Sequence, residues 1–310
     1  MFKILSIDGG GIRGIYPACI LKKIQNDSGI IFSDYFDLIV GTSTGSIIAG
    51  ALAVGYPIEK IVDLYKTEAG KIFKKKRMSF HGLLSSRYNN KYLRQKLNDV
   101  FKDSKLSDTR TGLIIPSTDI GNGRVFVFKS SFHPEFTRDK NILIKDAVMS
   151  SCSAPFYFDP VTYLAPEYWG KNKSLEKYLL IDGGLWANNP SVVALTEAFG
   201  RRFKKDREDV MLMSIGTGIG NRYYSGSRVG WGFLTGWESS KIIDSIFNIQ
   251  SQTNNNIINL ILPSENYLRI NFEKSDKLSL DDVKSIPDLI SQADNDYLSN
   301  KESISDFLIK

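Results

Sequence analysis

The most constraining feature of the chain is a serine set between two glycines, where one apolar run gives way to another. Ser43 is the centre of the pentapeptide GTSTG, whose outer glycines are Gly41 and Gly45. Residues 36–40 before it are typical of a buried strand, and residues 46–53 after it are typical of a packed helix. A strand that turns sharply into a helix leaves such a serine exposed, and the glycines relieve crowding. The pattern predicts a nucleophile elbow; a tight turn without chemistry is the alternative.

The histidine content limits which base can serve this serine. The chain has two histidines, His81 and His133, both in surroundings typical of loops or turns. In an ordinary α/β-hydrolase the histidine follows both the nucleophile and the acid, and nothing after position 133 can supply it. A functional serine therefore needs another base, such as a carboxylate, and we expect structural or surface roles for both histidines.

A carboxylate in a suitable position is Asp182. It follows the short strand-like run of residues 178–181 and precedes two glycines, Gly183 and Gly184. An acid at the carboxyl end of a strand lies where parallel α/β sheets present functional groups, although a simple Asp-Gly turn fits as well. With a reference pKa near 3.9, aspartate is a weak base, but burial in a cleft raises its pKa. We expect Asp182 to act as the base for Ser43.

A glycine loop near the start of the chain supplies a third element. Strand-like residues 3–7 run through this loop into the helix-like residues 15–24, which gathers backbone N–H groups around one point suited to an anion. A dinucleotide site would need an acid at the end of the second strand, and a P-loop would need Gly-Lys-Ser/Thr; both are missing. An oxyanion hole fits better. Its predicted members are Gly9, Gly10, Gly11, Ile12, Arg13 and Gly14.

The role of Arg13 within this loop has two interpretations. Its guanidinium either supports the loop or attracts an anionic substrate head group.

These elements, in this order, resemble the patatin-like phospholipase family. The motifs are DGGGIRG at residues 8–14, GTSTG at 41–45 and DGG at 182–184, with further similar stretches at 153–160, 188–190 and 214–218. The resemblance spans about residues 1–220. It implies Ser43 as nucleophile, Asp182 as its base in a Ser–Asp dyad, the glycine loop as oxyanion hole, and no metal or other cofactor. It also implies a three-layer α/β/α fold with a mostly parallel, partly mixed central sheet.

The alternation of strand-like and helix-like segments independently predicts βαβ units around a mostly parallel sheet. A turn at residues 121–124 predicts an antiparallel hairpin, which makes the sheet mixed. We expect a single domain over residues 1–310, with the motifs in 1–220 and a largely helical part in 237–310 that covers one edge of the sheet. The strand-like runs are 4–7, 38–40, 113–115, 125–128, 179–181 and 210–215, with one further short run at 268–272 in the largely helical part.

Composition sets limits on the cellular setting. At 310 residues, 42% hydrophobic and 24% charged, the chain has the composition of a soluble globular protein. Cys19 and Cys152 lie in apolar surroundings, which predicts inert buried thiols in a reducing compartment. The sequence has neither a leader-like start nor an apolar run approaching ~20 residues. We therefore expect a cytoplasmic protein that contacts the inner membrane surface peripherally when active.

Charge is concentrated in one run. The net charge is +6, and Lys71–Arg77 places five basic residues beside Ile72 and Phe73. Such a stretch can sit at an anionic lipid surface, although a solvated helix end is the simpler alternative. No nucleic-acid-binding motif accompanies the run, so a nucleic-acid polymer is not an expected partner.

Residues 218–237 combine glycines with large aromatic side chains. Three interpretations are open: a lid or lipid-contacting loop, a pocket for a small regulatory ligand, and a loop packed on its own side chains. Trp231 and Phe233 are the candidate substrate or ligand contacts.

Two classes of function fit these features. The first is a lipid acyl hydrolase of phospholipase A type acting on membrane phospholipids, or else a general esterase or galactolipase. The second is a non-catalytic binding protein that keeps the fold; the intact motifs favour the first. Some bacterial members of the family are cytosolic effectors switched on by cyclic nucleotides in antiphage defence, where they degrade the cell's own membrane. From the resemblance we expect a cyclic oligonucleotide activator for this chain, and oligomerisation on activation.

Overall fold

The computed structural model describes residues 1–76, 85–164, 177–220, 230–231, 239–274 and 278–310. The strands in these ranges are β1 (Phe2–Ile7), β2 (Leu38–Gly41), β3 (Gly112–Asp119), β4 (Arg124–Lys129), β5 (Val161–Leu164), β6 (Lys177–Asp182), β7 (Val210–Ile215), β8 (Ile219–Gly220), β9 (Tyr267–Ile270) and β10 (Glu273–Lys274). The α-helices are α1 (Ile15–Ser28), α2 (Phe32–Tyr35), α3 (Thr44–Ala53), α4 (Ile58–Ile72), α5 (Asn90–Phe101), α6 (Ile144–Ser151), α7 (Gly184–Ala187), α8 (Ser191–Phe199), α9 (Ser239–Ile261) and α10 (Ile286–Ile309).

The main sheet is mixed, with a parallel centre. The central strands β3, β2, β1, β7 and β9 lie side by side in that order and are all parallel. The predicted hairpin joins β3 to β4, with Asp119 opposite Arg124, and β6 and β5 add two further antiparallel pairings. The predicted mostly parallel, partly mixed sheet is therefore confirmed, whereas β5 was not predicted.

Both faces of the sheet are buried, which gives the expected three layers. Neighbouring residues of β1 point in opposite directions, so Leu5 packs on one side with α1, α3 and α4, and Ile4 packs on the other with α8 and α9. The same alternation places Ile39 on the first side and Val40 on the second. These strands are apolar on both faces of the sheet, and helices cover both faces.

One pairing differs from the sequence-based expectation and shapes the site. Asp182 was expected at the end of a parallel strand, but β6 runs antiparallel to β3, with Asp182 opposite Ser117. Because β4 occupies one edge of β3 from Ile114 to Asp119, β2 and β6 must share its other edge, one after the other. The carboxyl ends of β2 and β6 therefore point towards each other.

The C-terminal part contributes to the sheet as well as covering it. As expected, residues after 237 are largely helical in the described ranges and include one short strand of the main sheet; that strand, β9, forms the edge beside β7. Helix α10 packs along α1, where the Tyr16 hydroxyl donates to Asp296 at 2.6 Å. Among the described residues, none of the helices has both the length and the apolar character required to span a bilayer.

Candidate active site

Ser43 occupies the tight turn between β2 and α3. Its backbone has φ 53° and ψ −126°, a positive φ that non-glycine residues adopt only where the surroundings enforce it. A Cβ atom at Gly41 would lie 2.2 Å from the carbonyl oxygen of Gly45, so the two ends of the turn approach too closely for a side chain. The turn has the geometry of the elbow that the sequence predicts.

The shared edge of β3 brings Asp182 to this serine. The Ser43 hydroxyl donates to Oδ2 of Asp182 at 2.6 Å, and Oδ1 accepts from the Gly184 N–H at 2.7 Å. The Asp182 side chain is fully buried, and Ser43 is 7% exposed. Because both carboxylate oxygens are held, the carboxylate has one defined orientation towards the hydroxyl.

Burial raises the pKa of Asp182 to about 7, although the hydrogen bonds from Ser43 and Gly184 act in the opposite direction. The raised pKa makes the Asp182 carboxylate a stronger base than an ordinary aspartate, which is a weak base. At neutral pH such a carboxylate can accept a proton from the serine more readily than an aspartate in water.

A second serine, Ser151, holds the backbone of the turn at Ser43. The Ser43 N–H donates to the Ser151 hydroxyl at 2.9 Å, and that hydroxyl donates to the carbonyl of Pro116 at 2.6 Å. Sequence analysis did not identify Ser151, because nothing in its local pattern distinguishes it from other small residues at the end of a helix.

Five backbone N–H groups of the glycine loop, those of residues 9–13, divide into two sets. Those of Gly9, Ile12 and Arg13 donate to carbonyls within the protein, at 2.9, 2.8 and 3.1 Å. In the part of the chain that the structure describes, the N–H groups of Gly10 and Gly11 have no protein acceptor. These two N–H groups are therefore available to an oxyanion, and the oxyanion hole itself stays a prediction.

A further donor adjoins the nucleophile itself. The N–H of Thr44, the first residue of α3, likewise has no acceptor among the described residues. In α/β-hydrolases the residue after the nucleophile contributes such an N–H to the oxyanion hole. Gly11, Ser43 and Thr44 all line one pocket.

Arg13 is a buried part of the loop. Its Nε donates to the Gly10 carbonyl and its Nη1 to the Gly218 carbonyl, both at 3.2 Å, and the residue is 2% exposed. Of the two interpretations of Arg13, these contacts support the one in which the guanidinium supports the loop.

The loop is also fixed where it begins. Arg269 of β9 makes two hydrogen bonds to the Asp8 carboxylate, at 2.8 and 2.6 Å, and Ser251 donates to the same carboxylate at 2.7 Å. Asp8 is 2% exposed, so the pair is buried. Sequence patterns could not reveal this pairing, since the partners lie 261 positions apart.

An apolar pocket with a cavity volume of about 50 Å³ opens beside Ser43. Its described lining is almost entirely aliphatic and aromatic, which suits the hydrocarbon chain of an acyl group. The apolar lining includes Ile47, Leu64, Ile72, Phe73, Leu93 and Tyr157.

The basic run adjoins this pocket. Helix α4 ends at Ile72, and both Ile72 and Phe73 line the pocket, while Lys74 and Lys75 are exposed. Lys76 is held by the Ser86 hydroxyl at 2.7 Å and by Asp159 at 3.3 Å. Arg77 lies outside the described residues.

Of the remaining candidate residues, the structure describes His133 and Trp231. His133 accepts a hydrogen bond from the Glu135 N–H at 3.2 Å and packs against Phe203. Trp231 is 43% exposed. Phe233 and His81 lie outside the described residues, so the prediction of ligand contacts by the aromatic segment stays a prediction.

Both cysteines are free and buried, as expected. Burial raises the pKa of each thiol, and Cys152 lines the apolar pocket. A raised pKa keeps a thiol protonated and unreactive.

Comparison with known proteins shows the family of this chain. The family model for patatin-like phospholipases matches residues 5–195. Patatin-like protein 4 of Arabidopsis thaliana is 33% identical, covering 91% of this chain and 79% of that protein. A cGAMP-activated phospholipase of Vibrio cholerae is 34% identical over 71% of this chain, which spans 65% of that protein, slightly under two thirds of its length. The crystal structure of VipD from Legionella pneumophila matches with a TM-score of 0.45 at 13% identity, covering 94% of this chain and 67% of VipD.

Proposed function

Because this chain belongs to the patatin-like phospholipase family, we propose that it is a lipid acyl hydrolase in which Ser43 is the nucleophile and Asp182 its base. The observation that carries this proposal is the 2.6 Å hydrogen bond from the Ser43 hydroxyl to the buried Asp182 carboxylate. It supplies the contact between nucleophile and base that covalent catalysis requires.

Acylation would proceed as follows. Ser43 Oγ attacks the carbonyl carbon of a fatty-acyl ester while its proton passes to Asp182. The oxygen of the tetrahedral intermediate takes the negative charge and accepts hydrogen bonds from the free N–H groups of Gly10, Gly11 and Thr44. The C–O bond to the leaving alcohol then breaks, and that alcohol takes the proton from Asp182.

Deacylation repeats these steps with water. Asp182 accepts a proton from water as the water oxygen attacks the carbonyl of the acyl-enzyme. The same donors stabilise the second tetrahedral intermediate. Its collapse releases the fatty acid, and the proton returns from Asp182 to Ser43 Oγ.

Two features favour a membrane phospholipid as substrate. The pocket beside Ser43 has the apolar lining that an acyl chain requires, and the exposed Lys74 and Lys75 follow directly after Phe73, one of its lining residues. Lysines at that place can attract an anionic lipid surface and bring the pocket entrance to it, at the inner face of the membrane. A general esterase or galactolipase would use the same pocket without needing these lysines.

We further propose activation by a cyclic oligonucleotide. The support is the Vibrio cholerae relative, whose name describes a cGAMP-activated phospholipase. Activation of that kind, with assembly into an oligomer, would fit the antiphage role expected from the resemblance, in which the protein degrades the membrane of its own cell.

The test uses mixed phospholipid vesicles, with products measured by mass spectrometry, with and without cyclic di- and trinucleotides. We expect free fatty acid and lysophospholipid from the wild type and neither from Ser43→Ala. Cleavage only of galactolipids or simple esters would support the alternative hydrolase. A wild type that matches Ser43→Ala on every ester would support the non-catalytic binding protein.

A further inference from the structure

The glycine loop contacts a C-terminal segment that lies beyond residues 5–195, the part matched by the family. The Ile12 N–H donates to the carbonyl of Leu280 at 2.8 Å. A Cβ atom added to Gly11, which has φ +59°, would lie 2.2 Å from that same oxygen. The Leu280 backbone therefore lies directly against the residue that provides one of the free N–H groups.

Leu280 is held in place by the next residue. Asp281 Oδ2 accepts from the Tyr88 hydroxyl at 2.6 Å and from Arg87 Nη1 at 3.1 Å, and its Oδ1 accepts from the Ser279 hydroxyl at 2.7 Å. The side chains of Arg87 and Asp281 are only 14% and 11% exposed. Charge-assisted hydrogen bonds away from water are strong, and removing one partner leaves the other unsatisfied.

Tyr88 in turn contacts residues that line the pocket. Its N–H donates to the Tyr157 carbonyl at 2.9 Å, and its ring packs on Phe73 and Phe158 at centroid distances of 5.3 and 5.6 Å. Phe73, Tyr157 and Phe158 all line the pocket. Asp281 thus connects these pocket residues, through Leu280, to the glycine loop.

We infer that Asp281 is a positioning residue for the oxyanion hole: it holds the Leu280 carbonyl on the Ile12 N–H and so fixes the N–H groups of Gly10 and Gly11. The inference rests on the proposed function, because it assigns Asp281 a part in the same reaction. A donor displaced by about 1 Å can cost up to ~100-fold in rate even when the altered residue is remote from the reacting atoms.

The test compares Asp281→Asn and Tyr88→Phe, alone and combined, on a soluble short-chain ester. We expect kcat to fall ~10- to 100-fold in each single variant, with KM within about twofold of the wild-type value. The effects of the two changes should not add, because both act on the hydrogen bond between Tyr88 and Asp281. Asp282→Asn is the matched control: its carboxylate is exposed, accepts from the Lys284 N–H, and an asparagine can do the same. Its kcat should equal the wild-type value.

Hydrogen exchange provides a second measurement that does not depend on turnover. In Asp281→Asn, the amides of residues 9–14 should exchange faster than in the wild type and in Asp282→Asn. Unchanged exchange in this loop, or a normal kcat in folded Asp281→Asn, would overturn the inference. If the wild type were as inactive as Ser43→Ala, the proposed function would fail, and exchange would still show whether Asp281 holds the loop.

Discussion

Ser43 and Asp182 are joined by a hydrogen bond of 2.6 Å although 139 residues separate them in the sequence. The sheet makes this contact, since β2 and β6 end towards each other on the same edge of β3. Asp182 is buried with its second oxygen held by Gly184, so the carboxylate is both oriented and poorly solvated. Burial raises the pKa of the acid, the hydrogen bond from Gly184 orients it, and together they suit it to act as a base near neutral pH.

The first prediction concerns the pH dependence of hydrolysis. Burial raises the pKa of Asp182 to about 7, and only the deprotonated carboxylate can accept the Ser43 proton. For a neutral soluble ester, kcat/KM should therefore fall as pH decreases through about 7. A profile measured from pH 5 to pH 9 checks this. A midpoint near 4, the ordinary range for aspartate, would contradict it.

The second prediction concerns stability and the same carboxylate. Since the pKa of Asp182 is raised from 3.8 in the unfolded chain to about 7 in the fold, the folded state binds the extra proton, and stability is lost as pH rises across this window. Asp182→Asn removes that cost. We expect it to increase the free energy of unfolding at pH 8 by on the order of 4 kcal/mol at most, and to change it little at pH 4.

Urea unfolding of both proteins at the two pH values measures this effect. An inactive variant that is more stable than the wild type at pH 8 is the expected result. Equal effects at pH 4 and pH 8 would show that burial of the charge is not the cause.

The third prediction concerns the glycine loop. Gly11→Ala adds a methyl group 2.2 Å from the Leu280 carbonyl oxygen at a residue with φ +59°. It should lower kcat by ~100- to 1,000-fold, as expected when an oxyanion donor is displaced, with a smaller effect on KM. Gly29→Ala is a matched control, since Gly29 has φ +71° but open space around it. It should lose a little stability from backbone strain and keep its kcat; a normal kcat in folded Gly11→Ala would remove the loop from the mechanism.

The fourth prediction concerns membrane contact by exposed lysines. Changing Lys74 and Lys75 to glutamine should weaken binding to anionic vesicles by about 1 kcal/mol per charge, because each lysine near the surface is attracted to the lipid. Hydrolysis of a soluble ester should not change. Lys76 is left in place because it pairs with Asp159.

Vesicle co-sedimentation measures this affinity. The exposed Lys204 and Lys205, beyond α8 on the other face of the sheet, serve as the control pair. An equal loss of vesicle affinity from both pairs would show a general charge effect. Unchanged affinity after the change of Lys74 and Lys75 would show that the basic run is only a solvated helix end.

Much of the fold could be predicted because its main strands and helices have clear local patterns. The turn at Ser43 and the hairpin between β3 and β4 depend on residues close in sequence, and both have the expected geometry. The antiparallel direction of β6 could not be predicted, because an isolated apolar run such as residues 178–181 carries no information about its neighbours.

The contacts that hold the site in place could not be predicted from local sequence patterns either, because their partners are distant in the sequence. Arg269 stands in a short strand and looks like an ordinary surface charge until the sheet brings it to Asp8. Leu280 acts through its backbone carbonyl, which no side-chain pattern can reveal. The commitment of the Gly9 and Ile12 N–H groups to other carbonyls likewise depends on tertiary contacts.

The most direct test of the central claim is ester hydrolysis by Ser43→Ala, Asp182→Ala and the double variant, with His133→Ala as a control and circular dichroism to verify folding. Each single change should reduce hydrolysis to near background, and the double variant should be no lower than either, because the two residues act as a unit. His133→Ala should retain most of its activity, since His133 contacts Glu135 and Phe203 instead. A folded Asp182→Ala that hydrolyses esters at the wild-type rate, or a His133→Ala as inactive as Ser43→Ala, would contradict the Ser–Asp mechanism.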